Sequence, residues 1–214
     1  MSVLDTEGIP KFLAMADDSP YLTVFLLALY TGMRRSEMLG LRWQDVDLDS
    51  VALFVTQGLH RVIGGGLVVT QPKTPQSRRR IALSQDIVTL LRSHRARQAA
   101  ARLEAGPAWQ DGGWVFARRD GRPIDPNDVT RAFTRIARAA GLHGVRFHDL
   151  RHTHATLMLM HGVHPKVVSE RLGHSTITIT LDTYSHVLPG LQEAAAQAFE
   201  EGLRGVVSRD VVRR

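Results

Sequence analysis

The 214-residue chain contains no cysteine, which rules out disulfides, thiolate nucleophiles and zinc–thiolate sites. Lysine is nearly as scarce. It occurs only at Lys11, Lys73 and Lys166, and the other 24 of the 27 basic residues are arginine. No apolar run reaches the roughly 18 residues of a membrane span; the longest, from Val24 to Leu29, suits a core helix. Asp5 and Glu7 stand where a secretory leader would be apolar, so no signal peptide is expected and a cytoplasm is the expected location. There is no internal repeat or low-complexity segment.

The formal charge is +6, and an excess of positive charge favours a polyanionic partner. Arginine forks match phosphate oxygens in pairs, although GC-rich coding DNA would also enrich arginine. The scarcity of its neighbours of the same type makes Lys73 conspicuous. At this length the chain can bury a proper core.

Helical and extended patterns divide the chain. Residues 5–15 read as a short helix, and Ser19-Pro20 opens an apolar helix to about Tyr30, a cap residue followed by proline at the first helical position. Thr31-Gly32-Met33-Arg34 ends it, and Ser36 with Glu37 opens a short helix through Leu41. From Trp43 to Leu83 the period changes to two. Val51-Leu53-Val55, Leu67-Val68-Val69 and Arg80-Ile81-Ala82-Leu83 predict a small three-stranded antiparallel sheet, with Pro72-Lys73-Thr74-Pro75 turning between its second and third strands. Arg78-Arg79-Arg80 follows that turn, placed to grip a phosphate backbone together with Arg35.

Ser84 caps a long helix to about Glu104, and Asp125-Pro126 opens an amphipathic one that stops at Gly141. A further helix runs from His148 to Gly162, and Pro165 opens a short one to Leu172. Residues 194–203 form a last amphipathic helix after Pro189-Gly190. Between them, residues 175–180 alternate threonine with isoleucine and by period alone read as a strand.

The segment from His148 to Tyr184 concentrates the chemistry. His148 and Arg151 are i,i+3 neighbours on a helix and share a face; Leu172-Gly173-His174 and Thr183-Tyr184 follow. An imidazole and a permanent cation near a second histidine and a phenol suit an anion held beside a nucleophile. His152 and His154 lie close to His148, but Asp149 is the one nearby carboxylate, too few ligands for a tetrahedral site. No metal and no cofactor are expected. His154 reads as a hydrogen-bonded core histidine.

Five blocks, in order, resemble the tyrosine recombinases, the phage-integrase family of site-specific DNA recombinases. They are Thr31-Gly32-Met33-Arg34-Arg35-Ser36-Glu37, Pro72-Lys73-Thr74, His148-Asp149-Leu150-Arg151-His152-Thr153, Leu172-Gly173-His174-Ser175 and Thr180-Leu181-Asp182-Thr183-Tyr184. Tyr184 lies ten residues beyond His174, as in that family. The resemblance implies an α+β, predominantly helical catalytic domain over residues 1–204, with the small sheet at one side and a basic flexible tail at 205–214. It places residues 175–186 in helices, overriding the strand pattern, and it implies an N-terminal DNA-clamping domain, expected to be absent here.

The same resemblance implies metal-independent cleavage of DNA, with Arg34, Lys73, His148, Arg151, His174 and Tyr184 as the catalytic set. Tyr184 would attack a phosphodiester and form a 3′-phosphotyrosine. With a phenol pKa near 10, about one tyrosine in a thousand is ionised at pH 7, so His148 would accept its proton. Arg34, Arg151 and His174 would hold the phosphate, Lys73 would protonate the leaving 5′-oxygen, and Glu37 would orient its neighbours. Double-stranded DNA is the implied partner, with a homotetramer on DNA through the helix at 190–203 and a monomer in isolation. A bacterial or phage-encoded, nucleoid-associated enzyme of DNA integration and mobile elements is implied. The competing reading is a DNA-binding regulator or excision partner of the same fold without strand transfer.

Overall fold

The computed structural model describes residues 3–72, 77–184 and 191–203, the side chains of 191–195 excepted. Lys73 and the tail at 205–214 therefore lie outside the described residues. Helices α1 (Gly8–Ala16), α2 (Leu22–Thr31) and α3 (Arg35–Leu39) open the chain. Strands β1 (Val46–Asp47), β2 (Ala52–Val55), β3 (Gly58–Val62), β4 (Gly66–Thr70) and β5 (Arg79–Ala82) follow. Helices α4 (Gln85–Ala105), α5 (Pro126–Ala139), α6 (Asp149–Met160), α7 (Pro165–Leu172), α8 (Ile177–Tyr184) and α9 (Leu191–Leu203) complete it. The architecture is α+β and mostly helical. Among the described residues no helix is long and apolar enough to cross a membrane.

The expected three-stranded antiparallel sheet is present, but its strands are β1, β2 and β5, with Leu53 opposite both Val46 and Ile81. Leu67-Val68-Val69 is not its middle strand. That stretch belongs to β4, which pairs with β3 in a separate two-stranded hairpin. The reason is burial. β4 has no buried residue, whereas Leu53 and Ile81 are both buried, and a central strand must cover a core with one face. Val51, counted as a strand residue in the sequence, instead has a φ of +53° and ends the turn before β2.

Most of the apolar side chains form one core. Phe12, Phe25, Phe133 and Phe147 meet at its centre, with Phe25 and Phe133 edge to face at 5.6 Å. Such aromatic pairs prefer tilted over stacked geometry. A second, smaller cluster joins Ala155 and Leu159 of α6, Val168 and Leu172 of α7, and Tyr184 of α8. The Thr/Ile stretch is helical here. Thr180 and Tyr184, four apart, are buried while Thr178, Ile179 and Leu181 face outward, a period of four that overrides the alternation of residue types.

Candidate active site

Three chain features bring the site together. The first is Gly32, with φ +64°, where a Cβ would sit 2.6 Å from Leu172 and 2.7 Å from His154; only glycine fits. The second is Gly173, with φ +68°, where a Cβ would approach Arg79 to 2.8 Å. The third is the entry to α6, where His148 is the cap residue.

Arg34 caps α3, and its backbone N–H and its guanidinium both donate to Glu37, at 2.9 and 2.7 Å. Its second terminal nitrogen donates to the Gly173 carbonyl at 3.2 Å. The buried Glu37 carboxylate also accepts both terminal nitrogens of Arg79, at 3.1 and 2.9 Å. Burial opposes the carboxylate charge, yet the Arg79 hydrogen bonds and the Arg79 and Arg34 charges outweigh it and hold Glu37 down at about 2.

Arg79 is therefore a correction. Read in sequence as part of a DNA-gripping run, its side chain is only 6% exposed and also donates to the Arg171 carbonyl at 2.7 Å. It lies two residues from buried Ile81 on a strand, so the two share a face. Arg78 and Arg80 are exposed, the former donating to Gln71 and the latter to the Ser50 carbonyl. Arg35 donates to the Pro126 carbonyl and to Thr130.

Arg151 is buried and donates to the carbonyls of Gly32 at 2.6 Å and Leu172 at 2.7 Å. Desolvation first, and then Arg34, lowers its pKa to about 9. His174 shares a hydrogen bond of 2.8 Å between Nδ1 and Thr180 Oγ1, and desolvation together with Arg151 and Arg34 pulls it down to about 4. The surroundings resist further positive charge.

Tyr184 is 1% exposed, and burial, partly offset by Arg151, raises its phenol to about 12. Its hydroxyl is hydrogen-bonded at 2.8 Å to Nδ1 of His152. His148, the expected proton acceptor, is exposed and contacts the phenol only through this neighbour, its ring edge to face with His152 at 4.8 Å. It lines a cleft of about 990 Å³ together with Arg34, Arg35, His60, Arg61 and Arg146. Sequence reasoning passed over His152 as a functional residue. The available signal was its spacing to Ala155 and Leu159, i,i+3 and i,i+7 on the face that packs the smaller cluster.

His154 is a core histidine: Arg171 Nε donates to its Nε2 at 3.1 Å, so its Nδ1 donates to the Leu29 carbonyl at 2.9 Å. Among the described residues no group of three or more His, Asp and Glu is placed to hold a metal ion.

The site thus gathers guanidiniums and imidazoles beside a buried phenol, on a mostly helical domain with a small sheet. The profile of the phage integrase family matches residues 2–190, and the chain belongs to that family. A XerC-like tyrosine recombinase of Caldanaerobacter subterraneus subsp. tengcongensis is 35% identical over 189 residues, covering 83% of this chain and 48% of that protein. The ICEBs1 integrase of Bacillus subtilis is 29% identical over 197 residues, with coverages of 91% and 53%. The chain spans about half the length of these relatives. In structure it is similar to the Tn1549 transposon integrase in complex with transposon right end DNA, with a TM-score of 0.79, 22% identity and coverages of 93% and 66%. For the XerA recombinase the TM-score is 0.70 at 22% identity, with coverages of 92% and 65%. The fold is that of the tyrosine recombinases.

Proposed function

We propose that this chain carries the catalytic part of a tyrosine-type site-specific recombinase, which cuts and rejoins double-stranded DNA through a 3′-phosphotyrosine at Tyr184. One observation carries the reading. Two guanidiniums, those of Arg34 and Arg79, share the carboxylate of Glu37, and a third, the buried one of Arg151, lies within electrostatic range of both of them, of Glu37 and of Tyr184. That surplus of positive charge, partly buried, suits an anion. A phosphodiester brings one negative charge, and a pentacoordinate phosphorane brings more, so the attraction grows toward the transition state.

Arg34 and Arg151 hold the non-bridging oxygens, and His174 adds a third donor. Thr180 fixes the tautomer of His174: when its hydroxyl donates to Nδ1, the proton stays on Nε2, free to meet the phosphate. Tyr184 attacks phosphorus and the 5′-oxygen leaves. Lys73 gives that oxygen its proton, a general-acid contribution of roughly 10²–10⁴ in rate. The positive pocket supplies the charge that a metal pair would bring elsewhere. The phosphotyrosine keeps the bond energy, so rejoining to another strand needs no nucleotide cofactor.

The DNA backbone runs through the cleft lined by Arg35, Arg61 and Arg146, with His148 as a further contact. Arg78 and Arg80 add exposed charge at the sheet. Phe199 of α9 is 71% exposed, and in this reading α9 covers a neighbouring protomer when four copies assemble on DNA. Removing residues 189–214 should then abolish higher-order assembly on DNA.

A pool of nicked duplexes with randomised sequence tests the function, because cleavage near the nick releases a short strand and traps the covalent complex. The wild-type chain should give a protein–DNA adduct that survives EDTA and disappears in Tyr184→Phe. Binding without any adduct would favour the regulator, and EDTA-sensitive hydrolysis would favour a metal nuclease.

A further inference from the structure

We infer that His152 is a catalytic residue of this site: its Nδ1 accepts the proton of the Tyr184 hydroxyl as that oxygen attacks, and returns it when the strand is rejoined. The inference rests on the reading of Tyr184 as the nucleophile. Its basis is direct contact, since His152 Nδ1 stands 2.8 Å from the phenolic oxygen, within reach for proton transfer.

The surroundings support the role. His152 faces His148, Asp149, Arg151 and Arg146 on its own segment, Tyr184 from α8, and His174 beyond the end of α7. Desolvation and the adjoining His148 keep its ring neutral at physiological pH, with a pKa near 4. A neutral imidazole with its proton on Nε2 has a lone pair at Nδ1, which is what a base must offer. A resting base this weak does not ionise the phenol beforehand. The transfer accompanies P–O bond formation, when the attacking oxygen loses its hold on the proton. Tyr184 Oη then bonds to phosphorus, its proton passes to Nδ1, and the 5′-oxygen departs with the electron pair of the broken P–O bond. The resulting imidazolium lies beside the newly bound phosphate, which stabilises it. On religation the 5′-hydroxyl attacks, and the phenolate recovers the proton.

His148 takes a different part. Its ring is 4.8 Å from that of His152, centroid to centroid and perpendicular, so it buttresses the base while facing the cleft.

The test measures single-turnover adduct formation on nicked duplexes carrying the sequence recovered from the randomised pool. His152→Ala should slow attack about 10²-fold, within the usual range for a general base. His152→Gln keeps the fold and an acceptor for the hydroxyl but cannot hold a proton, so it should be slowed as much. Placing a fluorotyrosine of lower phenol pKa at position 184 should then narrow the gap between wild type and both variants to a few-fold. A residue that only supports the pocket would leave the gap unchanged by fluorination. An unchanged gap, or a Gln variant as fast as wild type, rejects the inference while leaving Tyr184 as nucleophile. A wild-type chain that forms no adduct rejects both.

Discussion

The two hydrophobic clusters of this molecule hold the two halves of its site, and they are built differently. The larger one, centred on four phenylalanines, roots the cations: buried Met33 and Met38 flank the half-buried Arg34, and buried Leu150 precedes Arg151. There the side chains are fixed by carbonyls and by a shared carboxylate. The smaller cluster holds the proposed nucleophile, and it is made of Tyr184 and four aliphatic residues. Full burial of one such side chain is worth roughly 1.5–3 kcal/mol. The lesson is a division of labour. The cations of the proposed phosphate clamp are tied into the main fold, whereas the phenol packs in the separate, smaller cluster and is bonded to His152.

The sharpest way to break that contrast is Tyr184→Phe. It should abolish adduct formation entirely and yet lower the unfolding free energy by only about 1 kcal/mol, the usual worth of one hydrogen bond, as read by chemical denaturation. A collapse in stability would mean that the phenol anchors the fold. Arg151→Lys should reduce cleavage by about 10²–10³, the scale for a lost preorganised donor. It should also weaken DNA-independent thermal stability, because the Gly32 and Leu172 carbonyls lose their shared partner.

Glu37→Gln probes the clamp without touching DNA. It strands a buried guanidinium, Arg79, and breaking one side of a buried pair costs about 3–5 kcal/mol. The corresponding change in the smaller cluster, Leu159→Ala, should cost about 2–5 kcal/mol while leaving anion binding to the clamp intact. Comparable losses of anion binding in the two variants would erase the distinction. Thr180→Val is expected to slow cleavage about tenfold by releasing the His174 tautomer, the scale of a hydrogen bond of about 1.4 kcal/mol, with Thr180→Ser restoring it.

The gentlest prediction concerns pH. His152, His154 and His174 have folded-state pKa values pulled down to about 4, below the ordinary 6.5. The unfolded chain therefore binds more protons than the folded one between those values. Stability is fully present above about pH 6.5 and declines as the pH falls toward 4, with a slope of up to about three protons. Urea denaturation across that range should show the decline, and a flat profile would mean that these rings titrate normally. Removing the ring of His154, bonded to the Leu29 carbonyl, and that of His174, bonded to Thr180, should each reduce the slope.

Much of this was legible in the sequence, and the misses have physical causes. Helix boundaries followed from Ser84, Asp125-Pro126 and Pro165, each a local capping device that tertiary packing left in place. The alternation at 175–180 pointed to a strand, and only the family resemblance placed a helix there, since residue type does not reveal that Thr180 is buried against His174. The order of the sheet was missed because Leu67-Val68-Val69 is as apolar as a core strand, although β4 buries none of its residues. Arg79 was misread because a run of three arginines looks solvated, although strand parity with Ile81 turns the middle one inward. The contact of His152 with Tyr184 was missed because the two lie 32 residues apart, and helical spacing could show only that His152 shares a face with Ala155 and Leu159.

The proposed chemistry depends most on a net-positive pocket that presents a phosphate to Tyr184. The direct measurement is a crystal structure grown with orthovanadate and a duplex carrying the captured sequence, nicked to leave a free 5′-hydroxyl. The predicted result is vanadium bonded to Tyr184 Oη, with Arg34, Arg151 and His174 at hydrogen-bonding distance from its equatorial oxygens. Vanadate held instead among Arg35, His60 and Arg61 in the wider cleft, with the phenol still on His152, would contradict it.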